Sequence, residues 1–423
     1  MHAALILLIF VLTYIGMAAG RLPWLQVDRT GIALLGVIAL LGTEAVTLDD
    51  LGANIDTSTL VLLFALMIVS AQFVVAGFFD LCADWIMSRH ASPAALLALT
   101  VGVCGALSAV LANDILVFVM APLLVAGTRA KGLDPRPFLI ALCGASNAGS
   151  AATLIGNPQN ILIGQLGRLS FLTYLAVGVV PAVVGLVALY AVIWLLWHDR
   201  IDGTVMAMAR ETTDVPRHPW DRNQTIKGLV AMALLLGLFM TRLPREIGGL
   251  LIAAILMSAR KVTSRTMIAG VDWPLLLLFV CLFAITGALA DTGLPYSFIA
   301  GLDGVRLLPD NLVVLAPATL FASNVIGNVP SVILLLQTWP NPPQGTLYAL
   351  AVLSSLSGNL LLTGSLSNLI VVERANAYGV RLSFGDYARV GIPATLISMG
   401  FAMAWLAWSG WLPWLPGGEA GGN

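Results

Sequence analysis

Two tracts rich in Asn, Ser, Thr and Gly interrupt hydrophobic runs of this chain. The first, SNAGSAATLIGNPQN, covers residues 146–160, and the second, SSLSGNLLLTGSLSN, covers residues 354–368, 208 positions later. In hydrocarbon an unpaired backbone amide or carbonyl costs on the order of several kcal/mol, so a membrane helix is interrupted only where the freed groups face protein, water or a ligand. Two such breaks in matching halves predict a substrate site.

Two further polar knots lie in the middle of apolar blocks at 94–127 and 312–338. The first reads SAVLAND, from Ser108 to Asp114, and the second reads SNVIGNVP, from Ser323 to Pro330. If each block is a hairpin that turns at mid-membrane, helix ends meet there. Helix N-termini carry roughly half a positive charge and free amides that suit an anion, whereas opposed C-terminal carbonyls suit a cation.

The candidate substrate and ion ligands are neutral side chains of these four segments and one carboxylate. In the first half they are Ser108, Asn113, Asp114, Ser146, Asn147, Thr153, Asn157 and Asn160. In the second half they are Ser323, Asn324, Asn328, Ser354, Asn359, Thr363, Ser365 and Asn368. Small and hydroxyl-bearing side chains also join helices to one another in lipid, and that is the alternative interpretation of the set.

Asp114 is the only acid that we place in a membrane-embedded knot, where a charge costs about 2.5–3.5 kcal/mol. It is expected to bind a cation or carry a proton, and the alternative is a carboxylate that caps the outgoing helix. We place Glu373 at the membrane interface and no Lys or Arg at mid-membrane. An anion would then be held by dipoles, neutral donors or a co-bound cation.

Composition sets the class of the protein. Of 423 residues, 59% are hydrophobic and only 10% charged, and the mean hydropathy is +0.93. Soluble domains carry roughly 25% charged residues, so the chain is a polytopic, all-α membrane protein. A net charge of −1 gives no sign of a nucleic-acid partner. The four cysteines form no CxxC pair and the four histidines fall at segment ends or in loops, so a metal site is not expected.

Apolar runs of about spanning length predict five crossings in each half, besides the two hairpin blocks. In the first half the runs lie near 3–19, 30–43, 58–78, 137–164 and 171–197. In the second half they lie near 226–241, 247–259, 273–291, 346–372 and 388–410. The runs 137–164 and 346–372 are the broken helices that contain the two polar tracts.

The distribution of basic residues favours hairpins over full crossings, because cytoplasmic loops carry the excess of Lys and Arg. With two hairpins and an external N-terminus, 17 of the 21 Lys and Arg, among them Arg29, lie in loops on the inside. Only Arg168, Arg242, Arg245 and Arg306 lie outside. If both blocks cross fully, the division becomes about 10 to 11, which the positive-inside rule disfavours.

Five crossings per half is an odd number, so the second half is predicted to be inverted relative to the first. LSF at 169–171 is followed by Tyr174 and Gly178, as LSF at 382–384 is followed by Tyr387 and Gly391. The predicted domains are a first repeat at 1–197, a cytoplasmic linker at 198–225, a second repeat at 226–414 and a C-terminal tail at 415–423. Both termini are expected outside the cytoplasmic (inner) membrane.

The ND tip at 113–114, the tract SNAGSAATLIGNPQNILIG and the tip SNVIGNVP resemble the ion transporter superfamily, in the branch of arsenite-efflux and citrate-transporter-like permeases. The resemblance covers nearly the whole chain, and GNPQN at 156–160 is its most specific part. It implies a two-hairpin, inverted-repeat transporter that moves small ions by an elevator-like motion, often as a homodimer. Ser323-Asn324-Val325 departs from the Ser-Asn-Thr signature of related sodium symporters.

We therefore expect a secondary active transporter of a small anion, coupled to protons or sodium, with no cofactor other than a bound sodium ion. Arsenite or antimonite efflux and sodium/proton antiport are alternatives, so the substrate can also be a metalloid. An ion channel could use the same hairpins. An intramembrane enzyme is disfavoured because the sequence places no nucleophile and base together.

Overall fold

The computed structural model describes residues 2–19, 27–89, 91–202, 215–241, 243–258, 261–304, 307–339 and 341–415. Within these ranges the regular secondary structure is helical throughout, which confirms the predicted all-α fold class. The predicted loop residues Arg21, Arg210, Arg242, Arg260 and Arg306, and most of the predicted tail at 415–423, lie outside the described residues.

The first half contains ten helices in the part of the chain that the structure describes. They are α1 His2–Ala19, α2 Arg29–Gly42, α3 Leu48–Ala53, α4 Thr57–Val75, α5 Phe78–Ser88, α6 Pro93–Ser108, α7 Asn113–Ala130, α8 Pro135–Ser150, α9 Pro158–Leu166 and α10 Phe171–Asp202.

The described part of the second half repeats this order. Its helices are α11 Arg222–Phe239, α12 Arg245–Met257, α13 Ser264–Ala269, α14 Trp273–Asp291, α15 Leu294–Gly304, α16 Leu312–Val325, α17 Asn328–Thr338, α18 Gln344–Ser357, α19 Leu366–Ala377 and α20 Phe384–Trp408. Corresponding helices often match in length, as α4 and α14 do with 19 residues each.

Six helices of the described ranges are long and apolar enough to cross a membrane: α1, α4, α7, α10, α14 and α20. The shorter apolar helices include α2, α6, α16 and α17. Four connecting helices, α3, α5, α13 and α15, were absent from the sequence prediction because they are too short or too mixed in polarity to form an apolar run. Helix α3 begins with a capping box in which Thr47 and Asp50 bond each other's backbone amides.

The block predicted as the first hairpin forms the helix pair α6–α7. Ser92 caps α6, and a short connection leads from Ser108 to Asn113. Lys131, just after α7, donates from Nζ to the carbonyl of Arg89, just before α6, at 3.1 Å. The two outer ends of the pair therefore lie side by side, as a returning hairpin requires. In the second pair, α16–α17, the turn passes through Gly327 with φ +100°.

Helices of the two halves pack in a reciprocal pattern. Helix α4 contacts α12 as α14 contacts α2, and α7 contacts α19 as α17 contacts α9, while α10 packs against α20. A two-fold relation between the halves generates contacts of this reciprocal kind. The inversion of one half relative to the bilayer stays a prediction.

The last helix of each half supports the break in the preceding one. Tyr174 of α10 donates its hydroxyl to the carbonyl of Ala151 at 2.9 Å. A Cβ at Gly178 would lie 2.5 Å from that carbonyl oxygen, and one at Gly391 of α20 would lie 2.4 Å from the carbonyl oxygen of Asn359. Both glycines are required because the last helix of each half lies close to the backbone of the broken helix. This explains why LSF is followed by Tyr and Gly in both halves.

The end of the predicted linker lies against the first half. Arg217 donates from Nη1 to Asp84 of α5 at 2.9 Å, and the amide of Asp221 donates to the carbonyl of Ala76 at 3.0 Å. Residues 198–202 continue α10, and residues 203–214 lie outside the described ranges.

Candidate substrate site

Side chains of the two broken helices form a buried set of hydrogen bonds, here called the central network: Asn147, Asn157, Asn160, Ser355, Asn359, Ser365 and Asn368. Asn147, only 2% exposed, donates from Nδ2 to Asn359 Oδ1 at 2.9 Å and to Asn368 Oδ1 at 3.1 Å. Ser365 Oγ donates to Asn147 Oδ1 at 3.0 Å. One amide thus joins the first half to three residues of the second.

The network is repeated with the halves exchanged. Ser355 stands 208 positions after Asn147. It accepts a bond from Asn157 Nδ2 at 2.8 Å and donates to Asn160 Oδ1 at 3.1 Å. Asn157 and Asn160 stand 208 positions before Ser365 and Asn368, the residues that Asn147 contacts. The same crossed connection is therefore made twice.

Two of these asparagines satisfy backbone carbonyls that the breaks set free. Asn160 donates from Nδ2 to the carbonyls of Ser150 at 3.3 Å and Thr153 at 3.0 Å. Asn368, its counterpart, donates to the carbonyls of Gly358 at 2.9 Å and Leu361 at 3.4 Å. Because buried carbonyls need partners, these side chains hold the shape of the breaks.

A second group of the predicted residues faces a cavity of about 660 Å³, here called the tip cavity. It lies where the end of α1 and the starts of α2, α9 and α14 meet the turns of the two helix pairs and one side of α19. Of the sixteen predicted ligands it contains five: Asn113, Asp114, Asn328, Thr363 and Ser365. The volume suits a small organic or inorganic ion.

Asp114 lies in the first turn of α7, where the helix dipole stabilises a carboxylate. It is 8% exposed and accepts a short 2.5 Å hydrogen bond from Ser367 Oγ at the start of α19. The Ser367 hydroxyl also accepts a bond from Asn113 Nδ2 at 3.1 Å. This chain of bonds joins the tip of the first helix pair to the second broken helix.

Two residues that line the tip cavity each have a buried carboxamide oxygen with no hydrogen-bond partner among the described residues. These oxygens are Oδ1 of Asn113 and Oδ1 of Asn328, which begin α7 and α17. The two residues are only 3% and 7% exposed. A buried acceptor left unsatisfied costs about 1–3 kcal/mol, so each of these two oxygens beside the cavity would gain from a cation or a hydrogen-bond donor.

The other predicted residues fasten the tips to the broken helices. Ser108 donates to the carbonyl of Ser146 at 2.6 Å, and Thr153 donates to the carbonyl of Ala109. Asn324 donates to the carbonyl of Ser357 at 3.1 Å. Ser354 bonds only within its own helix, to the carbonyl of Ala351. The hydroxyls of Ser146 and Ser323 are buried without a partner in the described ranges.

Sequence reasoning missed several residues of the two sites. Ser355 and Ser367 lie inside the polar tract at 354–368 but were not singled out, although the 208-residue offset pairs Ser355 with Asn147. The structure also adds two residues to this region: Glu373 lines the tip cavity, and Arg29 brings a guanidinium to the tips. A Cβ at Gly327 would lie 3.4 Å from Arg29 Nη1. The sequence predicts Arg29 in a cytoplasmic loop because it stands directly before the apolar run at 30–43.

Comparison with known proteins places this architecture among transporters. The chain is 28% identical to a "46 kDa membrane protein" of Mycobacterium leprae, over 94% of this chain and 96% of that one. It is 26% identical to the "Silicon efflux transporter LSI3" of Oryza sativa subsp. japonica, over 89% of this chain and 91% of that one. The human "P protein" is 26% identical, over 90% of this chain and 57% of that protein.

A solved structure has a similar fold. The crystal structure of the YdaH transporter of Alcanivorax borkumensis, described as having an unusual topology, aligns with a TM-score of 0.55 and 14% identity, over 97% of this chain and 98% of that one. The sequence profile of the family described as "Citrate transporter" matches residues 5–341. This match covers most of the chain, including both tips, the first broken helix and the cavity-lining start of α2, and the protein therefore belongs to the citrate transporter family.

Proposed function

We propose that this protein is a secondary active transporter that moves a small anion across the cytoplasmic membrane, coupled to protons or sodium. The observation that carries this proposal is the tip cavity, which is lined at the turns of the two helix pairs by Asp114, Asn113 and Asn328, the last two each with an unpartnered carboxamide oxygen. Membership of the citrate transporter family supports an anionic substrate.

The chemistry of the cavity supports a coupling cation. Carboxylate and carboxamide oxygens are the ligands that hard cations such as sodium prefer, and a carboxylate can also take up a proton. The counterpart of Asp114 in the second half is Val329, which can neither bind a cation nor take up a proton. The coupling role therefore belongs to the first tip. The membrane potential would add about 2.3 kcal/mol per charge per 100 mV to the driving force.

The position of the cavity supports access from the cytoplasm. It is lined by the ends of α1 and α19 and the starts of α2 and α14, which the positive-inside rule assigns to the cytoplasmic side. With both termini outside, the present arrangement is the inward-facing half of an alternating-access cycle. A homodimer is part of the proposal, on family resemblance alone.

Efflux of a neutral or anionic hydroxide is the second candidate. The rice relative is named a silicon efflux transporter, and the chain is similar to it over 89% of its length. For this chain the corresponding alternatives are arsenite or antimonite efflux and sodium/proton antiport. A channel would use the same helix pairs without coupling.

The test is flux of labelled citrate, phosphate and arsenite in vesicles reconstituted with the purified protein. We expect at least one anion to be moved faster when a sodium or proton gradient is imposed. Unlabelled substrate on the far side should accelerate exchange of the label, as a carrier does and a channel does not. If neither gradient alters any flux, coupled transport is excluded.

A further inference from the structure

Arg29 is positioned to hold the anion. It begins α2 and lines the tip cavity, and its guanidinium reaches the turn of the second helix pair beside Gly327. Its Nε is buried without a hydrogen-bond partner, and no ion pair joins it to any described residue. A guanidinium with unused N–H donors inside a cavity is a site for a carboxylate or an oxyanion.

The second half provides an internal comparison. Arg245 begins α12 as Arg29 begins α2. It donates from Nη1 to the carbonyl of Gly164 at 2.9 Å and from Nη2 to the carbonyl of Leu169, near the end of α9. Arg245 is thus bound by backbone carbonyls of its own protein. At the corresponding end of α19, residues such as Glu373 line the cavity without bonding Arg29.

The charges around the cavity sharpen the assignment. Its lining includes Asp28, Asp114, Asp272 and Glu373, and Arg29 is the one Lys or Arg among the described residues that line it. Asp28 and Asp272 are each engaged in capping a helix, through the amides of Gly31 and Leu275. An anion in so acidic a cavity is stabilised only close to Arg29, or beside cations that the acids have bound.

The start of α17 adds a second source of positive potential. This helix has 11 residues and begins at Asn328, directly after the glycine that Arg29 approaches. Its first amides lack intrahelical partners, and they belong to the turn that the guanidinium approaches. Gly327 holds φ +100°, a backbone conformation that favours glycine, and a Cβ there would lie in ordinary van der Waals contact with Arg29.

We propose that Arg29 is the anion-binding residue of the tip cavity, which pairs the substrate's carboxylate or oxyanion with the amides at the start of α17. This deepens the proposed function, on which it rests, by assigning a charged substrate. A neutral hydroxide such as arsenous acid forms no ion pair with a guanidinium, so the assignment disfavours it as the main substrate. At least one bound cation offsets the acids while the anion is held.

The experiment compares Arg29→Gln, Arg29→Lys and Arg245→Gln as purified full-length proteins. Citrate and phosphate binding are measured by calorimetry in the presence of sodium, and unfolding temperature is measured without ligand. We expect Arg29→Gln to weaken binding of the better anion at least 10-fold with an unchanged unfolding temperature, and Arg29→Lys to fall between it and the wild type. Arg245→Gln should lower the unfolding temperature and leave the affinity per folded molecule unchanged.

Three results overturn the assignment: the wild type binds neither anion, Arg29→Gln binds as tightly as the wild type, or the wild type binds arsenous acid more tightly than either anion. Unchanged affinity with slowed flux would make Arg29 a gate and not a ligand. If gradient-driven anion flux persists in Arg29→Gln, the role of Arg29 is rejected but the proposed transport function is not. Wild-type flux that ignores both gradients rejects the coupled transporter, whatever the binding data show.

Discussion

The central network and the tip cavity are built from the same residue types but differ in how their polar atoms are used. In the network, the Asn147 side chain bonds three residues of the second half, and Asn368 bonds groups from both halves of the chain. In the cavity, Asn113 and Asn328 are equally buried but each leaves a carboxamide oxygen without a partner in the described ranges. A saturated buried network fixes a structure, whereas an unsatisfied one provides sites for a ligand.

Symmetry separates the two regions in the same way. The network is made twice, with Asn147 and Ser355 in equivalent places. The cavity is not: Asp114 corresponds to Val329, and Arg29, open to the cavity, corresponds to Arg245, which is bound to carbonyls. What is repeated holds the halves together, and what differs between them can act on a ligand.

Asn147→Leu should have the largest effect. It would leave Asn359, Asn368 and Ser365 without their shared partner in a buried site. At about 1–3 kcal/mol for each stranded group, we expect a loss of roughly 3 kcal/mol or more in stability. Unfolding of the detergent-solubilised protein by heat or denaturant measures this loss.

Ser354→Ala is the matched control for that variant. Ser354 is also buried in a broken helix, but its hydroxyl bonds only the carbonyl of Ala351 in its own helix. The free energy of unfolding of Ser354→Ala should stay within about 0.5 kcal/mol of the wild-type value. Equal losses in the two variants would show that the central network does not hold the halves together.

Asp114→Asn should reduce gradient-coupled flux at least 100-fold, or about 2.7 kcal/mol. An amide neither releases a proton nor offers a full charge to sodium, but it can still accept the bond from Ser367. Folding should therefore be kept. Vesicle flux with and without a gradient measures the effect, and Asp386→Asn, at an exposed cap bonded to Ser383, serves as control. Full coupled activity in Asp114→Asn removes this residue from the mechanism.

Asn328→Ala should weaken ligand binding by about 10-fold, or roughly 1.4 kcal/mol, because it removes one of the two unpartnered oxygens. No hydrogen bond of its side chain to the described residues would be lost, so the unfolding temperature should not fall. Asn311→Ala gives the opposite pattern, because Asn311 caps α16 through the amide of Val314 at 3.1 Å, away from the cavity. Calorimetry and thermal unfolding of both variants distinguish the two roles.

Ser365→Ala should have the smallest effect, a loss of about 1 kcal/mol in stability, since it removes one bond to Asn147. Its counterpart Asn157 donates to Ser150 and Ser355 and accepts from the amide of Asn160. Asn157→Ala should therefore cost more than Ser365→Ala. If denaturant unfolding gives equal losses of stability for Asn157→Ala and Ser365→Ala, the additional hydrogen bonds of Asn157 do not contribute to stability.

Much of the fold could be predicted because it depends on local sequence. Long apolar runs predicted α4 and α14, and the Gly-Asn-Pro tract before α9 predicted a break. Tyr174 and Gly178 recur as Tyr387 and Gly391 because both halves repeat one packing arrangement, and that repetition is visible in a single chain. The short helices such as α3 gave no comparable signal, since six residues of mixed polarity do not form a periodic pattern.

The sequence predicted which residues form the candidate site. It did not predict which of them would belong to the central network and which to the tip cavity. Asn147 and Asn113 have the same side chain in similar apolar surroundings, but one meets three partners from the other half and the other keeps an open oxygen. Those partners stand more than 200 positions away. Local spacing carries no information about them.

By itself the sequence determined that this is a helical membrane protein with two broken helices and two polar turns, because burial in lipid forces apolar runs and permits polar interruptions only where they are used. The tertiary structure alone decided which polar groups saturate one another and which face the tip cavity. It also moved Arg29 from an expected loop to the cavity wall. The reason is that a hydrogen bond needs both partners within about 3 Å, and here the packing of one half on the other sets that distance.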